Sequence, residues 1–180
     1  MSFISPRRVR RGLLVLAASL GLLFGVTATP AQAAHVSDFT YTLSPKHAPG
    51  KCLEVADWRR DAGAPVRLWD CTGGANQKWM KFYENDPMKD TGVVWWVNLN
   101  SGMCLEIADW RTDNGAPARQ WDCHWGANQQ WTGNYTISAP FDYAPGKCLE
   151  IADWRTDNGA PARLWDCHYG ANQQWSPWRV

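Results

Sequence analysis

A carboxylate followed directly by a tryptophan occurs three times in this 180-residue chain, each time within a run of turn-forming residues. An indole in a turn has less reason to lie in a core than one in a strand. Its flat face can stack on the C–H face of a sugar ring, and a neighbouring carboxylate can accept hydroxyl protons. We therefore predict a binding site at each of these loops. The three pairs are Asp57 and Trp58, Asp109 and Trp110, and Asp153 and Trp154.

Two other interpretations of this loop stay open. Each indole could fold back over its own hairpin and bury its area there as a packing group. A calcium loop is less favoured, because the carboxylate spacing does not match that of an EF-hand and Ala62 stands where the other copies have asparagine. The exposure of the three indoles separates the first interpretation from a binding role.

Catalysis is disfavoured because every prominent polar group recurs three times, whereas an active site is an asymmetric constellation. Neither G-x-S-x-G nor H-E-x-x-H occurs in the chain. Glu54 and Asp57 could pair as glycosidase acids, but three equivalent hydrolase sites on so small a chain are improbable. We predict a protein that is not an enzyme and has no cofactor. Metal is also not expected, since there is no C-x-x-C and His124 and His168 have no counterpart in the first copy.

The chain consists largely of three copies of one unit, residues 52–79, 104–131 and 148–175. The second and third copies differ only at Gln120/Leu164 and Trp125/Tyr169, and the first aligns without a gap. Two cysteines recur in each copy at a separation of 19, so the repetition favours one bridge per copy, each worth about 3 kcal/mol. Sequence alone leaves other connectivities open. The predicted bridges are Cys52–Cys71, Cys104–Cys123 and Cys148–Cys167.

The first 34 residues have the order of a secretory signal peptide. Four arginines between positions 7 and 11 precede an apolar run from Leu13 to about Val26, and small residues with A-x-A spacing follow. That run is short for a membrane span. We predict that residues 1–34 are removed and that the remaining chain is secreted, which agrees with its even number of cysteines.

Without the four arginines, 14 of the 18 basic residues remain against 17 acidic residues, so the formal net charge of residues 35–180 is −3. No basic run is left in that segment. Proteins bind nucleic acids and anionic membrane surfaces through clustered lysine and arginine side chains. The charge therefore argues against either partner.

Alternating apolar and polar residues predict short strands on both sides of each turn, such as Cys52–Val55 and Val66–Trp69. Nothing in residues 35–180 has the pattern of a long helix. Three units are too few for a propeller, but they can close a three-fold barrel. We expect Trp79, Trp131 and Trp175 to lie in its core. The pair Trp95–Trp96 should place one ring on each face of a strand, leaving one exposed or at a contact.

Each copy resembles one subdomain of a ricin-B-type β-trefoil lectin of the bacterial secreted kind. The motifs that carry the resemblance are Cys-Leu-acidic-Val/Ile, then Leu-Trp-x-Cys, then Gly-x-x-Asn-Gln-x-Trp. The resemblance implies an all-β fold, a β-trefoil of residues 35–180 with repeats of about 35–88, 89–132 and 133–180. Members of this family are often carbohydrate-binding modules of secreted glycosidases, which makes a poly- or oligosaccharide the implied partner.

The resemblance also implies a sugar pocket in each repeat. It is built from the acidic residue after Cys-Leu, a polar residue two before the second-strand tryptophan, that tryptophan, and the Asn-Gln pair. The implied residues are Glu54, Arg67, Trp69, Asn76 and Gln77 in the first repeat, Glu106, Arg119, Trp121, Asn128 and Gln129 in the second, and Glu150, Arg163, Trp165, Asn172 and Gln173 in the third.

Two departures from the family pattern occur together in every repeat: glutamate replaces the usual aspartate, and arginine replaces the usual glutamine. Because these residues should lie on neighbouring strands, we predict cross-strand ion pairs such as Glu54–Arg67. The pairs could be structural and fill the pocket. Alternatively, the paired donors of arginine could bind an acidic sugar such as a uronate.

The resulting prediction is a secreted, non-catalytic lectin with three similar shallow sites that act together on a polymer. The alternative is a β-trefoil that binds a partner protein, as an adaptor of an exported complex or a protease inhibitor. Only residues 80–101 break the symmetry enough to serve that alternative, with Lys81, Lys89 and Trp95–Trp96.

Overall fold

The computed structural model describes residues 35–83, 92–133 and 135–180. The predicted signal peptide, residues 1–34, lies outside this part of the chain. Within the described residues, no helix has the length and apolar character needed to cross a membrane.

Short β-strands and single 3-10 turns make up the described secondary structure. The strands are β1 His35–Pro45, β2 Lys51–Val55, β3 Val66–Asp70, β4 Trp79–Tyr83, β5 Val94–Asn98, β6 Cys104–Ile107, β7 Ala118–Trp121, β8 Lys147–Ile151, β9 Ala162–Asp166 and β10 Trp175–Arg179. The 3-10 turns are Ala56–Trp58, Ala75–Gln77, Ala108–Trp110, Ala127–Gln129 and Ala152–Trp154.

Every repeat forms one antiparallel hairpin from the two strands that the alternation predicts: β2–β3, β6–β7 and β8–β9. In β3 the side chains alternate between buried and partly exposed, as a half-buried strand should. In β2 both faces are buried from Cys52 onward. One face, with Leu53 and Val55, belongs to the core, and the other, with Glu54, faces the site described below.

The three hairpins contact one another in a cycle. Leu68 N–H donates to Ala160 O at 2.8 Å, Leu164 N–H to Ala116 O at 2.8 Å, and Gln120 N–H to Ala64 O at 2.9 Å. The four remaining strands belong to the barrel and pair in the order β10, β1, β4 and β5. Single bridges at residues 131–138 and 174 connect β5 back towards β10. This all-β arrangement confirms the predicted β-trefoil.

Trp79, Trp131 and Trp175 are buried in the barrel core, as predicted. Each indole N–H donates at 3.1 Å to a backbone carbonyl of its own hairpin, at Leu53, Leu105 and Leu149 respectively. A buried indole needs such an acceptor, because an unpaired donor would cost about 1–3 kcal/mol. The last tryptophan of each repeat therefore fastens its hairpin to the barrel.

The three predicted disulfides are present, one within each repeat, and each joins the first hairpin strand to the segment after the second. The Cα atoms of each pair are 5.1 Å apart. The structure therefore selects the local connectivity that the sequence favoured but left open.

The expectation that Trp95 or Trp96 would be exposed is wrong. Both are buried, because Trp125 covers Trp95 at a ring-centroid distance of 5.6 Å, whereas Trp96 lies on the core side near Tyr41. Residues 80–83 continue strand β4 instead of forming a loop. The symmetry-breaking region 80–101 thus presents no exposed pair of indoles to a partner protein, and Lys89 lies outside the described residues.

Candidate functional site

The hairpin register brings Glu54 directly opposite Arg67 and confirms the predicted ion pair. Arg67 Nε donates to Glu54 Oε1 at 3.1 Å, and its Nη2 donates to Asp57 Oδ1 at 2.8 Å. One guanidinium thus holds two carboxylates. The same contacts recur for Arg119 with Glu106 and Asp109, at 2.8 and 3.1 Å, and for Arg163 with Glu150 and Asp153, both at 2.9 Å.

Glu54 is 4% exposed and lies at the centre of a hydrogen-bond network. Its Oε2 accepts from Asn76 Nδ2 at 3.2 Å and from Gln77 Nε2 at 3.1 Å. Gln77 also bonds to the backbone at both ends of its amide, donating to Asp70 O and accepting from Thr72 N–H. The equivalent residues of the other repeats make the same contacts: Glu106 with Asn128 and Gln129, and Glu150 with Asn172 and Gln173.

This network accounts for most of the donors and acceptors that the family resemblance assigned to ligand. A buried carboxylate is tolerated only when it is paired and hydrogen-bonded, and here Arg67, Asn76 and Gln77 satisfy it. Glu54 and Gln77 therefore form the floor of the site and hold its other residues in place. Because two donors of Arg67 already serve carboxylates of the protein, the fork expected to bind an acidic sugar is largely occupied.

The loop after β2 has an uncommon backbone. Asp57 and Trp58 both adopt the left-handed conformation, with φ of 55° and 56°, and the same holds for Asp109–Trp110 and Asp153–Trp154. Such a conformation costs a bulky residue about 1–2 kcal/mol. Strain of this kind persists only where the surroundings enforce it, and it clusters at ligand-binding sites. Six such residues in three equivalent loops therefore mark these loops as functional candidates.

The six-membered ring of Trp58 packs against Gly74, whereas about half of the side chain is exposed. A Cβ added to Gly74 would lie 2.6 Å from the ring, so the indole rests directly on that glycine. Trp58, Trp110 and Trp154 are nevertheless 54%, 54% and 52% exposed. Each of these indoles therefore packs in part against its own repeat and remains about half exposed, so complete burial as a packing group is wrong.

A cleft of about 170 Å³ joins the two sites that were predicted separately. Trp58 and Asp57 line one side, and Trp69 lies on the other with the Arg67 guanidinium stacked 4.3 Å from its ring centre. Glu54, Thr72 and Asn76 complete the lining. The sequence could not show this union, since it depends on how the loop after β2 folds back over β3. The same cation–π stacking occurs between Arg119 and Trp121 and between Arg163 and Trp165, at 4.2 and 4.1 Å.

The equivalent sites of the three repeats differ at one position. Thr72 of the first repeat is replaced by His124 and His168, whose Nε2 atoms lie 3.4 and 3.3 Å from Glu106 and Glu150. Each imidazole also stacks on the cleft indole, with centroids 5.7 and 5.9 Å apart. A threonine leaves this space free. The sequence signal for this inequality is the presence of threonine in the first repeat and histidine in the other two.

One acceptor in each cleft has no partner. The Oδ1 atoms of Asn76, Asn128 and Asn172 are buried without a hydrogen bond, although each Nδ2 is engaged. Unpaired buried acceptors are costly, and a threefold recurrence indicates a shared purpose. Among the described residues, no group of three or more histidine, cysteine or acidic side chains is placed to hold a metal ion.

The fold and the repeated Glu–Arg–Asp network are those of a β-trefoil with three related subdomains. A family model described as a ricin-type beta-trefoil lectin domain-like family matches residues 75–165, half of the chain. The chain belongs to this ricin-type β-trefoil family.

Two solved structures and one curated protein give the scale of the similarity. The designed 3-fold symmetric protein ThreeFoil aligns at TM-score 0.69 and 30% identity, over 78% of this chain and 99% of that one. The exo-beta-1,3-galactanase 1,3Gal43A of Clostridium thermocellum aligns at TM-score 0.71 and 28% identity, over 80% of this chain and 31% of that one. Serine protease 1 of Rarobacter faecitabidus is 52% identical over 31 residues, which are 17% of this chain and 6% of the protease.

Proposed function

We propose that this protein is a secreted, non-catalytic lectin that binds a poly- or oligosaccharide through three similar shallow clefts. The observation that carries the proposal is the half-exposed indole beside an arginine-held carboxylate, on strained backbone, in every repeat. Membership of the ricin-type β-trefoil lectin family supports carbohydrate as the ligand class.

In the proposed complex, a sugar ring stacks on the open face of Trp58, and its hydroxyls bond to Asp57. Asp57 is 70% exposed and uses Oδ1 for Arg67, so Oδ2 is available as an acceptor. A hydroxyl that reached Asn76 Oδ1 would satisfy that unpaired acceptor as well. These groups accept protons, and Asp57 would repel a carboxylate. The clefts therefore favour neutral, hydroxyl-rich sugars over the uronates suggested by the arginine alone.

Three weak sites suit a polymer better than a single sugar. A volume of about 170 Å³ is smaller than the 300–1,000 Å³ usual for enclosed ligand pockets, so each cleft takes little more than one ring. Linked sites gain strength because, once one is bound, the others bind at a high effective concentration. The first repeat, with Thr72 in place of histidine, offers the least obstructed cleft.

The carboxylate arrangement supports a role without catalysis. A glycosidase needs one carboxylic acid to protonate the leaving group and a second carboxylate near it. Glu54 and Asp57 are instead both ion-paired with the guanidinium of Arg67, and Glu54 is buried beneath it, which is not the arrangement of two carboxyl groups flanking a substrate bond. Secretion is supported by the three disulfides, which persist in oxidising compartments, and by the signal-peptide pattern of residues 1–34.

The test is retention of the purified chain on a panel of insoluble polysaccharides (xylan, galactan, pectin and peptidoglycan). We expect at least one to retain it and the matching soluble oligosaccharide to release it. Trp58→Ala, Trp110→Ala and Trp154→Ala should each weaken retention several-fold, and the triple variant should abolish it. Phe141→Ala, which removes an exposed ring outside the clefts, is the matched control.

Near-ultraviolet circular dichroism separates loss of binding from loss of fold. Retention of the triple variant equal to that of the unmodified chain would refute the proposed clefts. Failure of every polysaccharide to retain the unmodified chain would refute the lectin function itself.

A further inference from the structure

A cavity of about 400 Å³ lies among residues of β1, β4, β5 and β10. Lys81 and Trp96 face each other across β4 and β5, so they share a face of the sheet. Trp79 lies two residues before Lys81 on β4 and therefore on the same face. Because Trp79 belongs to the core, this face is the interior of the barrel. We call this cavity the barrel mouth. It is lined by Tyr41, Lys81, Trp96, Tyr135, Pro177 and Trp178.

Lys81 is a half-buried cation that has no ion-pair partner among the described residues. Its Nζ lies 5.0 Å from the centre of the Tyr83 ring and 5.6 Å from that of Trp96. No carboxylate or other hydrogen-bond acceptor of the described residues contacts it. Burial lowers the pKa of this ammonium from its usual range. An unpaired charge of this kind favours an anion beside it.

The wall of the mouth contains a second unsatisfied donor. Trp96 Nε1 is buried and has no acceptor, in contrast to Trp79, Trp131 and Trp175, whose indole N–H groups are all paired. Lys81 Nζ and Trp96 Nε1 are thus both donors, and the hydroxyls of Tyr41, Tyr135 and Ser176 in the lining can donate as well. A ligand rich in acceptors and carrying negative charge matches them.

The rim of the mouth is aromatic and accessible. Trp178 is 64% and Tyr135 is 74% exposed, although large aromatic residues usually bury their area. Their flat faces suit a ring, and a cavity of about 400 Å³ lies within the range of small-ligand sites. Charge and shape together describe a ring that carries a carboxylate.

We propose that the barrel mouth is a separate saccharide site that binds a carboxylate-bearing sugar ring, with the carboxylate against Lys81 Nζ and the ring against Trp178 and Tyr135. The choice of a sugar as the ring rests on the proposed lectin function, whereas the anion preference rests on Lys81 alone. No residue of the three clefts takes part. The clefts expose aspartates and the mouth a lysine, so the two kinds of site prefer sugars of opposite character.

The test uses digalacturonate and its dimethyl ester, which has the same rings without the charges. In calorimetric titration of the full chain we expect the acid to bind at least tenfold more tightly than the ester. Lys81→Met should remove that difference, and Lys81→Arg should retain most of it. Lys78→Met, which removes a half-buried lysine outside the mouth, should change nothing.

Each outcome decides the proposal. Equal binding of acid and ester, or undiminished acid binding by a folded Lys81→Met, overturns it. Acetate competing as well as digalacturonate would show an anion site that does not recognise the ring, and this also overturns it. If Lys81→Met fails to fold, Trp178→Ala at the exposed rim replaces it and should weaken the acid about tenfold. The variant with Trp58→Ala, Trp110→Ala and Trp154→Ala should bind digalacturonate as tightly as the unmodified chain. This measurement tests the barrel mouth separately from the three clefts.

Discussion

Gly74 and Trp58 illustrate at the residue scale how a small side chain determines what a large one can do. Gly74 has φ of −65°, an ordinary value, so its backbone conformation does not require glycine. Glycine is required at position 74 because the indole of Trp58 occupies the space that a Cβ would take. Gly126 and Gly170 lie against Trp110 and Trp154 in the same way. The absence of a side chain at these glycines lets the exposed indoles pack against the backbone.

Gly74→Ala should therefore displace Trp58 without unfolding the chain. A methyl group 2.6 Å from the ring forces the indole away, and we expect the first cleft to lose at least tenfold in oligosaccharide affinity. Titration of an oligosaccharide into a variant with Trp110→Ala and Trp154→Ala isolates that cleft.

Gly73→Ala is the matched control. Its Cβ would meet nothing within 4 Å, but φ is +72°, so this variant should lose about 1 kcal/mol of stability and keep its affinity. The reverse pattern, with Gly73→Ala losing affinity and Gly74→Ala keeping it, would contradict the role given to Gly74.

At the scale of elements, loops of one repeat are fastened to the hairpin of the next. Asn158 accepts from Lys51 Nζ at 2.8 Å and donates to Asp70 Oδ2 at 2.7 Å. Lys51 Nζ also donates to Asp70 Oδ1 at 2.6 Å, and this bond first, then that of Asn158, lowers the pKa of Asp70. Asn114 makes the same contacts with Lys147 and Asp166. The first repeat has Ala62 at this position and fastens its loop through Gln120 instead. These contacts fix where each cleft loop lies.

Tyr143 makes a related contact and gives the fold a pH dependence. Its hydroxyl donates to Arg111 O at 2.7 Å beside the loop of Trp110. Burial, and secondarily the charge of Glu106, raises its pKa to about 12. Between the ordinary pKa of about 10 and 12, tyrosine ionises in the unfolded chain but not in the folded one. Stability is therefore complete below pH 10 and is lost as pH rises towards 12.

The destabilisation caused by Tyr143→Phe should disappear as the pH rises from 10 to 12. At pH 8 the variant should be less stable by about 1 kcal/mol, because it lacks the hydrogen bond to Arg111. From pH 10 to 12 it should regain about 1 kcal/mol relative to the unmodified chain, a figure reduced for partial solvent exposure. Urea unfolding of the variant and the unmodified chain at pH 8 and at pH 12 measures the difference in their free energies of unfolding. A destabilisation that stays constant from pH 8 to pH 12 would contradict the assignment.

The same scale shows what the sequence could and could not predict. The alternation of residues 52–55 and 66–69 sufficed for the hairpin, and the register then placed Glu54 opposite Arg67. The union of the two predicted sites was not predictable, because the left-handed residues Asp57 and Trp58 turn the loop over its own hairpin. The burial of Trp95 depends on Trp125 of another element, a contact that no local pattern contains.

At the scale of the whole molecule, the threefold repeat predicts the fold but overstates the equivalence of its parts. Repetition implied a closed barrel, one bridge per repeat and three core tryptophans, and all of these are present. Thr72 against His124 and His168 makes the clefts unequal. The barrel mouth is lined by residues that lie outside the repeated segments 52–79, 104–131 and 148–175. Symmetry arguments from sequence are therefore strong for the core and weak for the surfaces.

The most direct test of the cleft assignment follows the indole N–H resonances by nuclear magnetic resonance while the oligosaccharide chosen by the polysaccharide panel is added. The resonances of Trp58, Trp110 and Trp154 should shift with the ligand, the first at the lowest concentration, whereas those of Trp79, Trp131 and Trp175 should stay in place. Saturable binding with all three cleft resonances unmoved would contradict the account.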